Sequence, residues 1–229
     1  MKNHPQNEEA KNIYQEPSSE LLQSIINLYT QGQLQQALSE SNQMLEQFPN
    51  SVVLYNISGA SNAGLMQFDA AIDSYKQALK IKPDYAEAYN NIGNVLNDQG
   101  DLEAAIDSYK QVLKIKPDYA EAYNNMGVAL NDKGDPEAAI ESYKQALRIK
   151  PDYAEGHSNL GAALQLLNQT EPALASYEKA ISLKKDLNTA ISGLGMALLK
   201  KGEHSEGLDK LRQGDGSILF NIKSGLSIK

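Results

Sequence analysis

Asparagine recurs along this chain at a fixed spacing. Asn91, Asn125 and Asn159 are each separated by 34 residues. A side-chain amide offers both a donor and an acceptor, which match the C=O and N–H groups of an extended peptide. Asparagine is also a poor helix former, so its repeated use in a helical sequence needs a reason. The spacing predicts a ladder of amides along a bound peptide. The competing hypothesis is that these amides bond to a neighbouring repeat.

Carboxylates accompany the amides at the same period. Glu87, Glu121 and Glu155 share one repeat position, and Asp98 and Asp132 share another. Acidic side chains repel a ligand carboxylate and favour a neutral or basic peptide, with an attraction that falls as salt rises. The predicted peptide-binding residues are Glu87, Asn90, Asn91, Asn94, Asn97, Asp98, Glu121, Asn124, Asn125, Asn131, Asp132, Glu155 and Asn159.

Patterns typical of catalysis or metal binding are weak in this sequence. His4, His157 and His204 have no metal-ligand spacing. His157 replaces a tyrosine of the other repeats and is expected to be a packing residue. The Gly-Asp-Gly-Ser segment at 214–217 is too short for a phosphate loop and lacks its lysine. We therefore predict a non-catalytic protein with no catalytic residue, no cofactor and no metal site.

The repeat that positions these side chains is most regular between Ala86 and Tyr153. Laying residues 120–153 on residues 86–119 gives 26 identities in 34 positions. Within each copy, apolar residues at steps of three and four predict two amphipathic helices. Gly100 can close the first helix, Asp101 can cap the second, and Pro117 ends it. Each repeat is therefore predicted to be a helical hairpin.

The apolar and small residues of one copy resemble the tetratricopeptide repeat (TPR) pattern. They are Tyr89, Ile92, Gly93, Leu96, Gly100, Ala105, Tyr109, Val112 and Pro117. The resemblance implies an all-α, right-handed TPR solenoid of about six hairpins, whose first helices line a concave groove for the ligand. Asn91, Asn125 and Asn159 are similar to the asparagine ladder in the TPR superhelix of O-linked N-acetylglucosamine transferases. The carboxylate clamp of chaperone-binding TPR proteins is not expected, because its basic positions are acidic or amide-bearing here.

Steps of 34 residues predict where the repeats begin and end. The array is predicted at 18–221, with repeats 18–51, 52–85, 86–119, 120–153, 154–187 and a degenerate 188–221, after a disordered polar leader at 1–17 and before a tail at 222–229. In the second repeat Met66 replaces the glycine between the helices, so Gly64 is expected to form the turn early. In the fifth, Asn168 is expected to adopt the left-handed conformation. Residues 218–222 alternate like a short strand, predicted to cap the last repeat, with the start of a second domain as the alternative.

Composition narrows the class of partner and the compartment. The chain has 21 basic and 29 acidic residues, a net charge of -8, which disfavours nucleic acid as a ligand. No cysteine is present, so disulfides and thiolate metal sites are excluded. The first thirty residues lack an apolar run of signal-peptide length, and no later stretch approaches a membrane span. A cytoplasmic protein with no membrane partner is expected.

Lysines and tyrosines recur where the second helices end. A basic convex side is expected, where stabilisation of helix C-termini is sufficient reason for the charges and binding of an acidic partner is the alternative. Its residues are Lys76, Lys80, Lys82, Lys110, Lys114, Lys116, Lys144, Arg148 and Lys150. The tyrosines that follow each Pro-Asp pair, Tyr85, Tyr119 and Tyr153, are expected to be wedges between successive repeats.

Three functional hypotheses follow from these patterns. The first is a protein-interaction scaffold that binds an extended peptide or partner protein in the concave groove. The second is an N-terminal module that recruits substrates for a larger enzyme, such as a glycosyltransferase, sulfotransferase or oxygenase, whose catalytic part follows residue 229. The third is self-association, in which the last repeat or the leader of one copy docks on the groove of another.

Overall fold

Helical hairpins make up most of the computed structural model, which describes residues 16–215, 218–221 and 225–228. One compact unit ends at Ile115 and a second begins at Lys116. The first unit contains α1 (Ser19–Thr30), α2 (Leu34–Leu45), α3 (Val52–Gly64), α4 (Phe68–Ile81), α5 (Ala86–Gln99) and α6 (Leu102–Ile115). The second contains α7 (Ala120–Asp132), α8 (Pro136–Ile149), α9 (Ala154–Leu166), α10 (Thr170–Leu183), α11 (Asn188–Lys201), α12 (His204–Asp215), β1 (Ile218–Asn221) and β2 (Gly225–Ile228). These elements confirm the predicted helical-repeat fold with six hairpins.

The turns inside the hairpins follow the period of the sequence. Among the described residues, positive φ angles occur at Gly32, Met66, Gly100, Gly134, Asn168 and Gly202. The prediction for Asn168, whose φ is 59°, is confirmed. The prediction that Gly64 forms the turn is wrong, because Gly64 ends α3 and Met66 takes the left-handed conformation with φ 59°. A Cβ on Gly64 would lie 2.6 Å from Leu34 Cδ1, so packing keeps this residue small.

Aspartates cap the N-termini of the second helices in two hairpins, as the sequence predicts. Asp101 Oδ1 accepts a hydrogen bond from the Ala104 N–H at 3.2 Å. Asp135 Oδ1 accepts from the Ala138 N–H at 3.1 Å. Each carboxylate satisfies one of the free N–H groups that every helix start exposes, and its negative charge suits the helix dipole.

Four hairpins are closed by a tyrosine ring that packs on a glycine of the facing helix. A Cβ added to Gly59, Gly93, Gly127 or Gly161 would lie 2.6, 2.6, 2.6 or 2.8 Å from the ring of Tyr75, Tyr109, Tyr143 or Tyr177. Burial of these rings raises the pKa of all four phenols, that of Tyr177 to about 12. In the sixth hairpin the backbones themselves approach, since a Cβ on Gly195 would lie 2.8 Å from the Gly207 oxygen. The small residues of the repeat are therefore packing residues.

The two ends of the described chain add features to the helical array. β1 and β2 pair antiparallel, with Ile218 opposite Ile228, and β1 lies beside α12. The strand predicted at 218–222 is thus present as far as Asn221, while Ile222 lies outside the described residues. The predicted leader also lies outside them up to residue 15. Glu16 is described, and its carboxylate accepts hydrogen bonds from the Ser51 hydroxyl and, at 2.9 Å, from the Val52 N–H, which caps α3.

Candidate functional site

The first helices of the hairpins carry most of the predicted site residues. We call the first-helix face the set of side chains at the repeat positions of Glu87, Asn94, Asn97 and Asp98, together with their counterparts 34 residues away. In the first unit this face includes those four residues of α5. In the second unit it includes side chains of α7, α9 and α11.

Two of the predicted ladder asparagines bond to the preceding repeat. Asn91 Nδ2 donates to Asn56 Oδ1 at 3.0 Å in the first unit. Asn159 Nδ2 donates to Asn124 Oδ1 at 3.0 Å in the second unit. Both pairs are 35 residues apart in sequence, so the same contact joins successive first helices. For these two amide N–H groups, the structure agrees with the competing hypothesis, in which asparagine bonds to a neighbouring repeat.

Asn90 and Asn124 are buried, so the prediction that they face solvent is wrong. Their side chains are 8% and 5% exposed. Asn124 accepts from Asn159 and also donates from Nδ2 to Asn125 Oδ1 at 3.3 Å. At 3.6 residues per turn, this position lies on the same side of the helix as the first-helix face, and the contact with Asn159 shows that the next first helix covers Asn124. A buried amide must be hydrogen-bonded there, which explains why a poor helix former occupies the position.

The asparagines that belong to the first-helix face have other roles. Asn94 Oδ1 accepts a hydrogen bond from the Tyr109 hydroxyl at 2.9 Å. The Oδ1 atoms of Asn97 and Asn131 are buried and have no hydrogen-bond partner among the described residues. Asp98 and Asp132 are exposed. After burial, the negative charge of Asp98 is the second cause that raises the pKa of Tyr109.

Lysines neutralise two of the three predicted glutamates. Lys150 Nζ lies 3.4 Å from Glu121 Oε1, and Lys184 Nζ lies 3.0 Å from Glu155 Oε1. The hydrogen bond from Lys184 is the largest cause that lowers the pKa of Glu155. Glu87 is exposed. The second unit is therefore less acidic along its first helices than the sequence predicts, because these cations are contributed by the segments after the second helices.

Three lysines, one of them Lys150, stack on the tyrosines that precede the first helices. Lys82, Lys116 and Lys150 place Nζ at 5.3, 4.6 and 4.7 Å from the ring centroids of Tyr85, Tyr119 and Tyr153. Each contact is a cation–π interaction. The Lys150 ammonium also contacts Glu121 at the start of α7, one of the residues predicted for the peptide-binding site. The three tyrosines are half-buried.

A cleft of about 560 Å³ opens on the first-helix face of the second unit. Its lining residues come from α7, α9, α10, α11 and the turn after α9, and are Asn131, Ala162, Gln165, Leu166, Asn168, Tyr177 and Lys200. Leu166 is 60% exposed, and Met196 of α11 is 44% exposed. The Lys200 ammonium donates to the Asn168 side-chain oxygen. Gln165, Leu166 and Lys200 are absent from the sequence-based site. The sequence contains one signal for them. A single repeat position carries aspartate at Asp98 and Asp132 but leucine at Leu166 and lysine at Lys200.

A second cleft, of about 410 Å³, lies in the first unit. It is lined by Glu16, Val52, Val53, Lys82, Asp84 and Tyr85. Because Glu16 caps α3 there, the chain itself already contributes the carboxylate at this helix start.

Catalytic or metal-binding constellations do not emerge from the geometry of the described ranges. No cluster of three or more histidine, aspartate or glutamate side chains within them can hold a metal ion. His157 is half-buried and its Nε2 donates to the Pro151 carbonyl at 3.0 Å. None of the helices that the structure describes is long and apolar enough to cross a bilayer.

Comparison with known families identifies the repeat. The family model described as TPR repeat matches residues 67–97, 93–134 and 129–168, and the model described as tetratricopeptide repeat matches 154–187. The chain therefore belongs to the tetratricopeptide repeat family. Repeats of this family are typically non-catalytic scaffolds for protein interactions.

Solved structures share the fold. The crystal structure of MamA is similar at 29% identity and a TM-score of 0.61, covering 68% of this chain and 91% of that one. PilF of Pseudomonas aeruginosa is similar at 17% identity and a TM-score of 0.74, covering 83% and 87%. YrrB, described as a TPR protein with an unusual peptide-binding site, is similar at 17% identity and a TM-score of 0.59, covering 77% and 91%. No curated protein matches the chain.

Proposed function

We propose that this TPR protein is a non-catalytic scaffold that binds an extended segment of a partner protein on its first-helix face. The residues proposed to contact the segment are the exposed or half-exposed members of that face: Glu87, Asn94, Asn97, Asp98, Glu121, Asn131, Asp132 and Glu155. Asn91, Asn125 and Asn159 border the face, and the amide N–H groups of Asn91 and Asn159 are engaged between repeats.

The observation that supports this proposal most is that hydrogen bonds between neighbouring first helices hold the helices that carry the exposed polar side chains. In the first unit Asn91 of α5 is tied to Asn56 of α3, and in the second unit Asn159 of α9 is tied to Asn124 of α7. Side chains on a rigid base lose less conformational entropy when a ligand binds, which raises affinity without new contacts. The description of YrrB as a peptide-binding TPR protein supports the same class of ligand.

The charges of the first-helix face suggest which segments it accepts. Exposed Asp98 and Asp132 favour neutral or basic residues at α5 and α7. Glu121 and Glu155, which are paired with lysines, contribute less to this preference. The attraction is expected to weaken as salt is raised, because exposed charges are screened.

The experiment is a selection of random peptides displayed on phage against the full chain, followed by fluorescence anisotropy with the enriched peptides. Asp98→Lys combined with Asp132→Lys is expected to weaken the binding of these peptides about tenfold, because the new lysines repel the basic residues that the aspartates attract. Asp107→Lys combined with Glu141→Lys makes the same charge change on second helices, at exposed side chains, and is the control. Equal effects of the two double variants, or no enriched peptide at all, would refute the proposal.

A further inference from the structure

We infer that the cleft of the second unit anchors a large aliphatic side chain of the partner segment, beside an acidic side chain that pairs with Lys200. The inference rests on the proposed function and specifies the ligand chemistry at one place on the first-helix face. It also differs from the general preference for neutral or basic segments that Asp98 and Asp132 create.

The walls of the cleft suit an aliphatic group. Ala162 and Leu166 are four residues apart on α9 and so lie on one side of that helix, and Tyr177 of α10 also lines the cleft. Met196 and Lys200 are related in the same way on the neighbouring helix α11. Leu166 and Met196 remain 60% and 44% exposed, which leaves apolar surface for a ligand to cover. Methionine adapts its shape to different aliphatic partners.

The charge at this end of the face has the opposite sign to that at α5 and α7. One repeat position carries Asp98 on α5, Asp132 on α7, Leu166 on α9 and Lys200 on α11. Lys200 donates to the neutral Asn168 oxygen, which leaves its charge without a carboxylate partner among the described residues. The neighbouring Lys201 differs, since its Nζ lies 2.8 Å from Glu203 Oε1. Lys200 is therefore the cation that an acidic ligand side chain can reach.

One amide next to the apolar walls is oriented for the ligand backbone. Gln165 Oε1 accepts from the Tyr177 hydroxyl at 3.0 Å, which fixes the orientation of the amide and leaves its N–H groups as donors. Asn131 also lines the cleft, with its Oδ1 atom buried and without a partner among the described residues.

The dimensions favour a peptide segment as the occupant. A volume of about 560 Å³ lies within the range of about 300–1,000 Å³ that holds small ligands or a few side chains. Leu166 is the exposed large apolar side chain among the residues that line it, and Met196 lies one turn before Lys200 on α11. Interfaces between stable protein copies bury on the order of 1,200–2,000 Å², far more than these two side chains offer. The cation and amides match a peptide with one aliphatic anchor and one carboxylate.

The test uses the same random-peptide phage library, with the full chain and its variants as bait. The wild-type protein is expected to enrich peptides in which leucine, isoleucine or methionine lies next to aspartate or glutamate. Replacing the aliphatic residue of a labelled synthetic peptide by alanine should weaken binding about tenfold or more. Replacing its acidic residue should weaken binding about two- to fivefold, with the difference shrinking as salt rises.

Matched variants assign the effect to the cleft. Leu166→Gln and Lys200→Glu should each remove the enrichment, and Lys200→Glu should select basic residues instead. Leu183→Gln and Lys179→Glu are the controls: Leu183 is the last residue of α10 as Leu166 is of α9, and Lys179 is exposed on α10. All four side chains are exposed, so circular dichroism is expected to show unchanged helix content.

The outcomes separate this inference from the proposed function. Enriched peptides that lack the aliphatic and acidic pair, and that respond to the Asp98 and Asp132 variants alone, would overturn the inference and leave the proposed function standing. A failure to enrich any peptide would overturn both. A dimer in light scattering that Leu166→Gln dissociates would overturn the inference by showing that a second copy fills the cleft.

Discussion

The pair formed by Asn159 and Asn124 gives a quantitative test of what the asparagines do. If the amide of Asn159 mainly stabilises the stack of repeats, Asn159→Ala should lower the free energy of unfolding even without a ligand. If it mainly binds a peptide, the same change should weaken binding and leave stability unchanged. The structure predicts the first result, because Asn159 Nδ2 donates to Asn124 Oδ1 at 3.0 Å and Asn124 is 5% exposed.

The expected magnitude follows from the environment of Asn124. Removing the donor leaves a buried acceptor unsatisfied, which costs about 1–3 kcal/mol. Alanine recovers up to about 0.7 kcal/mol through its higher helix propensity. Asn159→Ala should therefore cost about 0.3–3 kcal/mol. In the Asn124→Ala background the acceptor is gone, so the same substitution should cost less, with a coupling of about 1 kcal/mol.

The assay is urea unfolding followed by circular dichroism for the wild-type protein, both single variants and the double variant. Asn131→Ala is the control on the same helix as Asn124, because its Oδ1 is buried without a partner among the described residues. That control should be neutral or stabilising. A zero coupling between Asn159 and Asn124, together with an unchanged stability of Asn159→Ala, would refute the reasoning.

Three further predictions concern stability. Met66→Gly should stabilise the protein by about 1 kcal/mol, because Met66 has φ 59° and its side chain is 76% exposed; Met66→Ala is the control in urea unfolding and should give no comparable gain. Gly93→Ala should destabilise the protein by about 1 kcal/mol, because overpacking against Tyr109 costs about 1–3 kcal/mol while the gain in helix propensity is about 1 kcal/mol. A variant that is stabilised to the same extent in the wild-type and the Tyr109→Leu backgrounds would contradict this. The pKa of Glu155 is lowered in the folded protein, so ionised Glu155 stabilises the fold at pH values above the ordinary pKa of 4.5. Glu155→Gln should therefore lower the free energy of unfolding by at most about 1 kcal/mol, and this difference from wild type should shrink as pH falls through the lowered pKa. A difference that does not change with pH would show that the ion pair with Lys184 is not its source.

The period of the sequence predicted the hairpins because each repeat must bury the same apolar stripe against the same neighbours. The left-handed turn residues show how firmly this constraint acts. Met66 adopts the conformation that glycine adopts at Gly100, although Gly64 lies two residues away. An early turn at Gly64 would have shifted the second helix relative to the first, and the packing of Gly64 on Leu34 prevents this. Tertiary packing thus outweighed the preference of methionine for negative φ angles.

The candidate site was harder to predict because side-chain pairing is not visible in one repeat. Asn90 and Asn91 are adjacent in sequence, yet Asn90 is buried and Asn91 is half-buried. A rotation of one residue on the helix separates the two environments, and the positions of the neighbouring repeats decide which amide is covered. Likewise, the distance from Lys150 to Glu121 depends on the path of the segment between two helices, which the spacing of charges does not specify. The cleft beside Leu166 arises from three consecutive first helices together with Tyr177 of α10.

The central claim is that the first-helix face, and not the surface of the second helices, binds the partner segment. Photo-crosslinking with an enriched library peptide tests it directly, with the photoreactive residue placed in turn at Asn94 of α5 and Asp132 of α7, or at Asp107 of α6 and Glu141 of α8. Peptide adducts are expected from the first pair of positions and not from the second. Adducts that form equally from both pairs, or from the second-helix positions alone, would contradict it.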